Sequence, residues 1–414
     1  MGAGRNTLVD TRPGRSISDD KRAGRKLSVE KGSLPAGSRL HGHIPELDGL
    51  RGIAILMVML GHFWLGAGPT DTAEQALYNV LQNGWIGVDL FFVLSGFLIT
   101  GILLDAKGKD HYFRNFYARR ALRIFPLYYG FLFLWFWVTP ALIGLDPNGP
   151  FARGRETQLW FWTYMSNNLS VVNGAVVPHG LNHFWTLAIE EQFYLVWPAV
   201  VMLVSTKRLR TICILLIPLS LAFRMWLMTT PYAHTAGYVL TPARIGTLGI
   251  GAWLASALRD PLLRSRIEQF APRVFLISIA SLLLLNLPDL RFDGFEPVMQ
   301  TVGFPLLAVA SAALLVLAMA ARKRWSWYQR MFKSRVLRFF GKYSYGMYVL
   351  HLPVIVAFEG LSVTIATFPL VGGSRVPAAI AFTIVGLCTT TLLAFLSWHL
   401  YEKQFLKLKA RFRS

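Results

Sequence analysis

From Leu50 onward the chain repeats one pattern: long apolar runs separated by short polar segments that are mostly basic. Val274 to Leu287 and Phe304 to Ala321 each run fourteen or more residues without a charge. A helix crossing the hydrocarbon core of a bilayer needs about 20 such residues. The pattern predicts ten spans, at 50–68, 84–104, 124–145, 183–205, 211–229, 241–258, 274–289, 301–321, 343–364 and 377–400. The segment 157–172, TQLWFWTYMSNNLSVV, is short for a span and polar in its second half, so it reads as re-entrant or interfacial. The expected fold class is all-α: a polytopic transmembrane helical bundle of about ten spans with both termini cytoplasmic.

Charge tests that topology. With the N-terminus inside, 35 of the 42 Lys and Arg residues fall in the inside segments and four fall outside (Arg153, Arg155, Arg291 and Arg375). The other three, Arg51, Arg224 and Arg244, lie in or at the ends of spans. This is the bias expected when basic loops stay on the cytoplasmic side. An eleventh span at 157–172 would invert every later loop and put three basic clusters outside.

Composition agrees. The chain is 54% hydrophobic and 15% charged, against roughly 25% charged residues in an ordinary soluble domain. The net charge of +20 is dispersed among the spans and forms no single patch, so nucleic acid is not an expected partner. Cys213 and Cys388 both sit in apolar runs, which indicates neither a disulfide framework nor a zinc site. Residues 1–43, polar and rich in Gly, Ser, Arg and Lys, predict a disordered basic cytoplasmic tail without the apolar centre of a secretory signal. Residues 44–405 form the membrane domain and 406–414 a short basic cytoplasmic tail.

An ionisable group at membrane depth costs a few kcal/mol or more, so each is a functional hypothesis. Span one, LDGLRGIAILMVMLGHF, carries Arg51 and, eleven residues later, His62. That spacing puts both on one helical face about 16 Å apart. They suit a pathway across the membrane, or else a snorkelling Arg and a His bonded to a neighbouring helix. Span four, HFWTLAIEEQFYLVWP, carries Glu190 and Glu191, which point about 100° apart. Glu190 lies about 10 Å from the outer end, a depth at which it could meet His62. Span two adds Asp89 and Ser95, and span nine adds His351.

A histidine with a nearby carboxylate is suited to taking a proton from a hydroxyl. No Gly-x-Ser-x-Gly elbow, phosphate loop or metal-spaced His cluster occurs, so hydrolase, ATPase and metalloenzyme readings are weak and no metal is expected. Ser95, in LSGF, reads either as a nucleophile or as part of a small Ser-Gly pair packing against another helix. The segment FRNFYARRALRIFP sets Arg114, Arg119, Arg120 and Arg123 before span three. Such a cluster suits phosphate groups, including those of coenzyme A, or an anionic-lipid anchor.

These motifs, in this order, resemble the integral membrane acyltransferases of the acyltransferase 3 family, which O-acylate sugars and related hydroxyl acceptors. The resemblance runs from Ile44 to Phe405 through LDGLRGIAILMVMLGH, GVDLFFVLSGFLIT, FYARRALRIFPLYY, HFWTLAIEEQFYLVWP, YSYGMYVLHLPV and SWHLYEKQF. It implies that Arg51 and His62 are paired essential residues, His62 as base or transient acyl carrier and Arg51 holding the donor, with Glu190 as the supporting carboxylate. It implies donor binding by Arg119, Arg120 and Arg123, and a site lined by Asp89, Ser95, Tyr345, Tyr348, His351 and Glu402.

The implied activity is transfer of an acyl group, acetyl by default, from acyl-CoA to a hydroxyl of a glycan, lipid-linked sugar or small acceptor. It would take place in the bacterial cytoplasmic membrane among its lipids, with acyl-CoA as substrate and no permanently bound cofactor. Two departures matter. Where the family often has Arg-x-Asp, this chain has Arg244-Ile245-Gly246. Only a short basic tail follows Glu402, so a stand-alone form without an extracytoplasmic transferase domain is expected. The rival reading is a transporter or flippase for a glycan or lipid-linked substrate, for which polar residues lining a cavity are equally natural.

Overall fold

The computed structural model describes residues 1, 43–64, 68–69, 71–143, 154–172, 177–178, 180–287, 291–320 and 326–412. The predicted N-terminal tail, His43 and Met1 apart, lies outside the described residues. Each predicted span holds a helix. We number them α1 (Pro45–Phe63), α2 (Ile86–Ala106), α3 (Tyr112–Phe133), α4 (Trp185–Leu203), α5 (Thr206–Leu227), α6 (Thr241–Ala257), α7 (Pro261–Leu285), α8 (Phe304–Met319), α9 (Arg335–Gly360) and α10 (Val376–Ser397). No strand is present among the described residues, only an isolated bridge between Val371 and Ser374.

Eight helical segments are long and apolar enough to cross a membrane. The other two predicted spans are helices of a different character: α1 carries Glu46, Asp48 and Arg51 in its first turns, and α6 is 17 residues long. The segment 157–172 forms two short helices, Gln158–Trp162 and Ser166–Val172. They are separated at Tyr164, whose φ of 55° is left-handed. Neither is long enough to span, in keeping with the charge argument.

The helix ends sort into two groups as the alternation requires. At the basic end, Lys107 donates to the Val201 and Val204 carbonyls at the end of α4. There too Arg259 pairs with Asp105, Arg210 with Asp260, and Lys333 with Glu46. At the opposite end Trp85 Nε1 donates to the Phe292 carbonyl, and Ser374 bonds Glu74. Ser205, Asp260 and Ser334 cap the N-termini of α5, α7 and α9 at the basic end, each accepting from backbone N–H groups that have no helical partner. Large apolar side chains such as Leu215, Leu219, Leu276, Leu284 and Ile384 stay exposed on the outer faces of α5, α7 and α10, where lipid would be their solvent.

Two close helix crossings place the interior. Along α1 and α9, a Cβ at Gly52 would overlap the Leu337 carbonyl, and one at Gly341 the Asp48 carbonyl. Along α2 and α6, a Cβ at Gly96 would overlap the Leu248 carbonyl, and one at Gly251 that of Val93. In lipid, small residues at crossings let backbones approach and gain dispersion contacts. Between these two crossings lies a gap lined by α2, α3, α4 and α9, and part of the polar residues of the spans face it.

Candidate active site

A cavity of about 270 Å³ occupies the gap. Its wall on α2 runs from Val88 to Ile102, fifteen residues and roughly 21 Å of helix. Toward the basic end it is bounded by Arg51, Arg120 and Arg123, and toward the opposite end by Thr186 and Tyr348. Ser95, Glu190, Glu191, Tyr194, Ser344 and Tyr345 complete its polar lining. A second cavity, of about 400 Å³, lies at the basic end among His43, Asp48, Arg51, Arg123, Arg338, Lys342 and Trp398. Arg51 and Arg123 line both cavities.

The cationic wall is braced by aromatic rings. The Arg120 guanidinium lies over the Tyr194 ring at 4.4 Å and that of Arg123 over the Trp398 ring at 4.8 Å. Ring stacking orients a guanidinium while leaving its edge N–H donors free. Arg120 Nε is buried without a hydrogen-bond partner among the described residues. Arg119, expected beside them, is exposed and outside the cavity wall. Adjacent helical residues point 100° apart, and the inward face is shared by positions three apart.

Ser95 Oγ donates to Glu190 Oε1, joining α2 to α4 midway along the cavity. Its neighbour Gly96 makes the close approach to α6. The two readings of the Ser-Gly pair therefore divide between its two residues, the glycine packing and the serine facing the cavity. Tyr345 lines the wall and ties α9 to α3 by donating to the Ile124 carbonyl at 2.8 Å. Glu402 ends a π-helical turn, Trp398–Glu402, and accepts from Ser397 Oγ at 3.1 Å. It stands behind the wall, near Gly346, and does not line the cavity.

Beyond Tyr348 lies a group of three histidines. The His351 ring stands 4.9 Å from that of His62 and 4.7 Å from that of His183, in edge-to-face arrangements. The Tyr348 hydroxyl is held at 2.7 Å from Thr186 Oγ1 and donates to the His183 carbonyl at 3.2 Å, closing off this end of the cavity. His62 Nδ1 lies 2.8 Å from the Val58 carbonyl and His351 Nδ1 lies 2.7 Å from that of Tyr348. A carbonyl only accepts, so in each ring Nδ1 carries the proton and Nε2 keeps its lone pair.

Besides Arg119 and Glu402, two further expectations differ from the geometry. Glu190 was expected to support His62, but its carboxylate faces Ser95 and the arginines, whereas His62 meets the other histidines. The helix end explains this. α1 stops at Phe63, so His62 sits in its last turn, at the level of His183, and Glu190 lies seven residues, roughly 10 Å, deeper along α4. Asp89 was expected to line the site, but it forms a 2.9 Å ion pair with Arg244, both side chains fully buried, outside the cavity wall.

The Arg244 guanidinium sits 4.0 Å from the Phe304 ring, and nearby Arg224 bonds the Gln300 and Ala243 carbonyls. The carboxylate missing from Arg244-Ile245-Gly246 is thus supplied by α2. Sequence reasoning missed His183 as a site residue. Its signal was its place in HFWTLAIEE, two helical turns before Glu190 on the same face. Among the described residues no group of three His, Cys, Asp or Glu side chains has the geometry to hold a metal ion.

Comparison with known proteins agrees with this architecture. Residues 44–399 match the acyltransferase 3 family, described as an acyltransferase domain. The chain is 31% identical over 379 residues to the putative peptidoglycan O-acetyltransferase YrhL of Bacillus subtilis, covering 88% of this chain and 55% of that protein. It is 30% identical over 327 residues to the peptidoglycan O-acetyltransferase OatA of Listeria monocytogenes, covering 76% and 49%. A putative O-acetyltransferase of Staphylococcus aureus is 26% identical over 390 residues, covering 88% and 58%. The chain thus spans about half the length of these relatives. No solved structure matches it.

Proposed function

Because the chain belongs to the acyltransferase 3 family, we propose that it is a membrane O-acyltransferase that moves an acetyl group from acetyl-CoA to a glycan hydroxyl. The names of the relatives point to peptidoglycan as the acceptor. The observation that carries the reading is the pair of adjoining cavities: a basic outer one for phosphates, sharing Arg51 and Arg123 with a long, mostly apolar one. That is the shape and charge order of coenzyme A, anionic at the nucleotide and neutral along the pantetheine arm. The basic end would face the cytoplasm, where acetyl-CoA is made, in the cytoplasmic membrane of a bacterium.

His62 serves the acceptor. With Nδ1–H bonded to the Val58 carbonyl, its Nε2 is the free base, and a positioned histidine base contributes about 10²–10⁴-fold to rate. Arg51, on the wall that the two cavities share, would meet the donor beside its phosphates.

The test incubates membranes containing the protein with labelled acetyl-CoA and peptidoglycan fragments. Release of free CoA with acetylated glycan is expected. A transporter of the same glycan would give neither product, and that outcome would overturn the reading.

A further inference from the structure

A third cavity, of about 420 Å³, lies away from the candidate active site, among α5, α6, α7 and α8. α7 packs against α8, and from Arg266 to Val274 the cavity lies between α7 and the helices α5 and α6. Its floor is buried at Leu254, Ala271, Ala313 and Val316, while Ile214, Phe270 and Val274 on its rim are exposed. It is therefore a groove that opens outward, where lipid would be the solvent. Every lining side chain is apolar except Arg266, at the basic end.

Depth and charge restrict what can lie there. Along α7 the groove runs from Arg266 to Val274, about 12 Å of helix and less than half of a ~30 Å hydrocarbon core. That length suits a chain from one leaflet and not a helix that crosses both. Of the arginines nearby, Arg210 pairs with Asp260 and Arg264 with Glu268. Arg266 is exposed and forms no ion pair among the described residues. A guanidinium at the mouth of an apolar groove can lay its stem on the wall and offer paired N–H donors to a phosphate. Basic pockets between spans near the membrane surface hold anionic headgroups in this way.

We propose that this groove is a binding site for an anionic phospholipid, with one acyl chain on the Ala271 and Ala313 floor and the headgroup phosphate on Arg266. The lipid fills the space that separates α7 from α5 and α6, and so holds α7 to the bundle on a second face. This assignment is independent of the acetyl-CoA reading.

Native mass spectrometry of the full chain in neutral detergent tests it, with phosphatidylglycerol and phosphatidylcholine of the same acyl chains as probes. The unaltered protein is expected to retain one phosphatidylglycerol, with phosphatidylcholine held about tenfold more weakly, the loss of one charge-assisted bond. Arg266→Gln, at an exposed and unpaired position, keeps the fold and brings phosphatidylglycerol down to the phosphatidylcholine level. Ala312→Phe, from a half-buried position on the α8 wall, fills the groove and removes both adducts. Equal retention of the two lipids by the unaltered protein overturns the proposal, as does a phosphatidylglycerol adduct undiminished in Arg266→Gln. A dimer that Ala312→Phe dissociates would assign the groove to a second copy of the chain and overturn it too.

Discussion

The bundle buries two centres of charge, and they are built on opposite plans. At Asp89 and Arg244 the charges are paired at 2.9 Å, fully buried, and walled by Phe92, Tyr238 and Phe304. At Arg51, Arg120, Arg123 and Glu190 the guanidinium groups are held by rings or form no ion pair among the described residues, and all of them face a cavity. A satisfied, sealed pair fixes how α2 and α6 meet. An open set of cations keeps donor capacity that an arriving anion could use. The same residue types thus form a closed pair in one place and an open set in the other, and space beside the charge is what separates them.

The largest effect should come from breaking the sealed pair. Asp89→Ala strands Arg244 in a dry interior, which costs about 3–5 kcal/mol, so the protein should lose its folded peak in detergent chromatography. Converting both partners to apolar residues, Asp89→Leu with Arg244→Met, should recover most of that loss.

The open centre should respond the other way. Arg51→Gln is expected to lower acetyl transfer by about 10²–10³-fold while the melting temperature stays near that of the unaltered protein. A variant that unfolds instead would place Arg51 with the sealed type.

Tyr348→Phe removes two hydrogen bonds worth about 1 kcal/mol each. A fall of about tenfold in transfer, with unchanged CoA binding, is expected from it.

The smallest effect lies outside the spans. Asp260 is held below the usual carboxylate range by its hydrogen bond from Arg210, helped by the Leu263 and Leu262 N–H groups. A depressed folded value means its contribution is full above the unfolded value of ~3.9 and is lost as pH falls through the folded one. The small difference in melting temperature between Asp260→Asn and the unaltered protein should therefore be present at neutral pH and vanish in acid.

Much of this was legible from the chain. Apolar run length located every long helix, and the count of basic residues rejected a span at 157–172. Arg51, Arg120, Arg123, Ser95, Glu190, Tyr345 and Tyr348 were singled out and do share one cavity.

What escaped was of two kinds. Helix ends are set by capping and tertiary contact and not by hydropathy, so His62 was placed too deep and paired with the wrong partner. Partners across helices depend on rotation about each axis, which a single sequence leaves open. Asp89 therefore looked like a site residue, and Arg244 looked unpaired because a carboxylate was sought two positions along its own helix.

The closure at Tyr348 has a consequence for the cell as a whole. A polar passage with mouths on both faces would let protons run down their electrochemical gradient and drain the energy stored across the membrane. With the Tyr348 hydroxyl tied to Thr186 and to the His183 carbonyl, the cavity is blind at one end. An enzyme of this design could face both compartments without short-circuiting them.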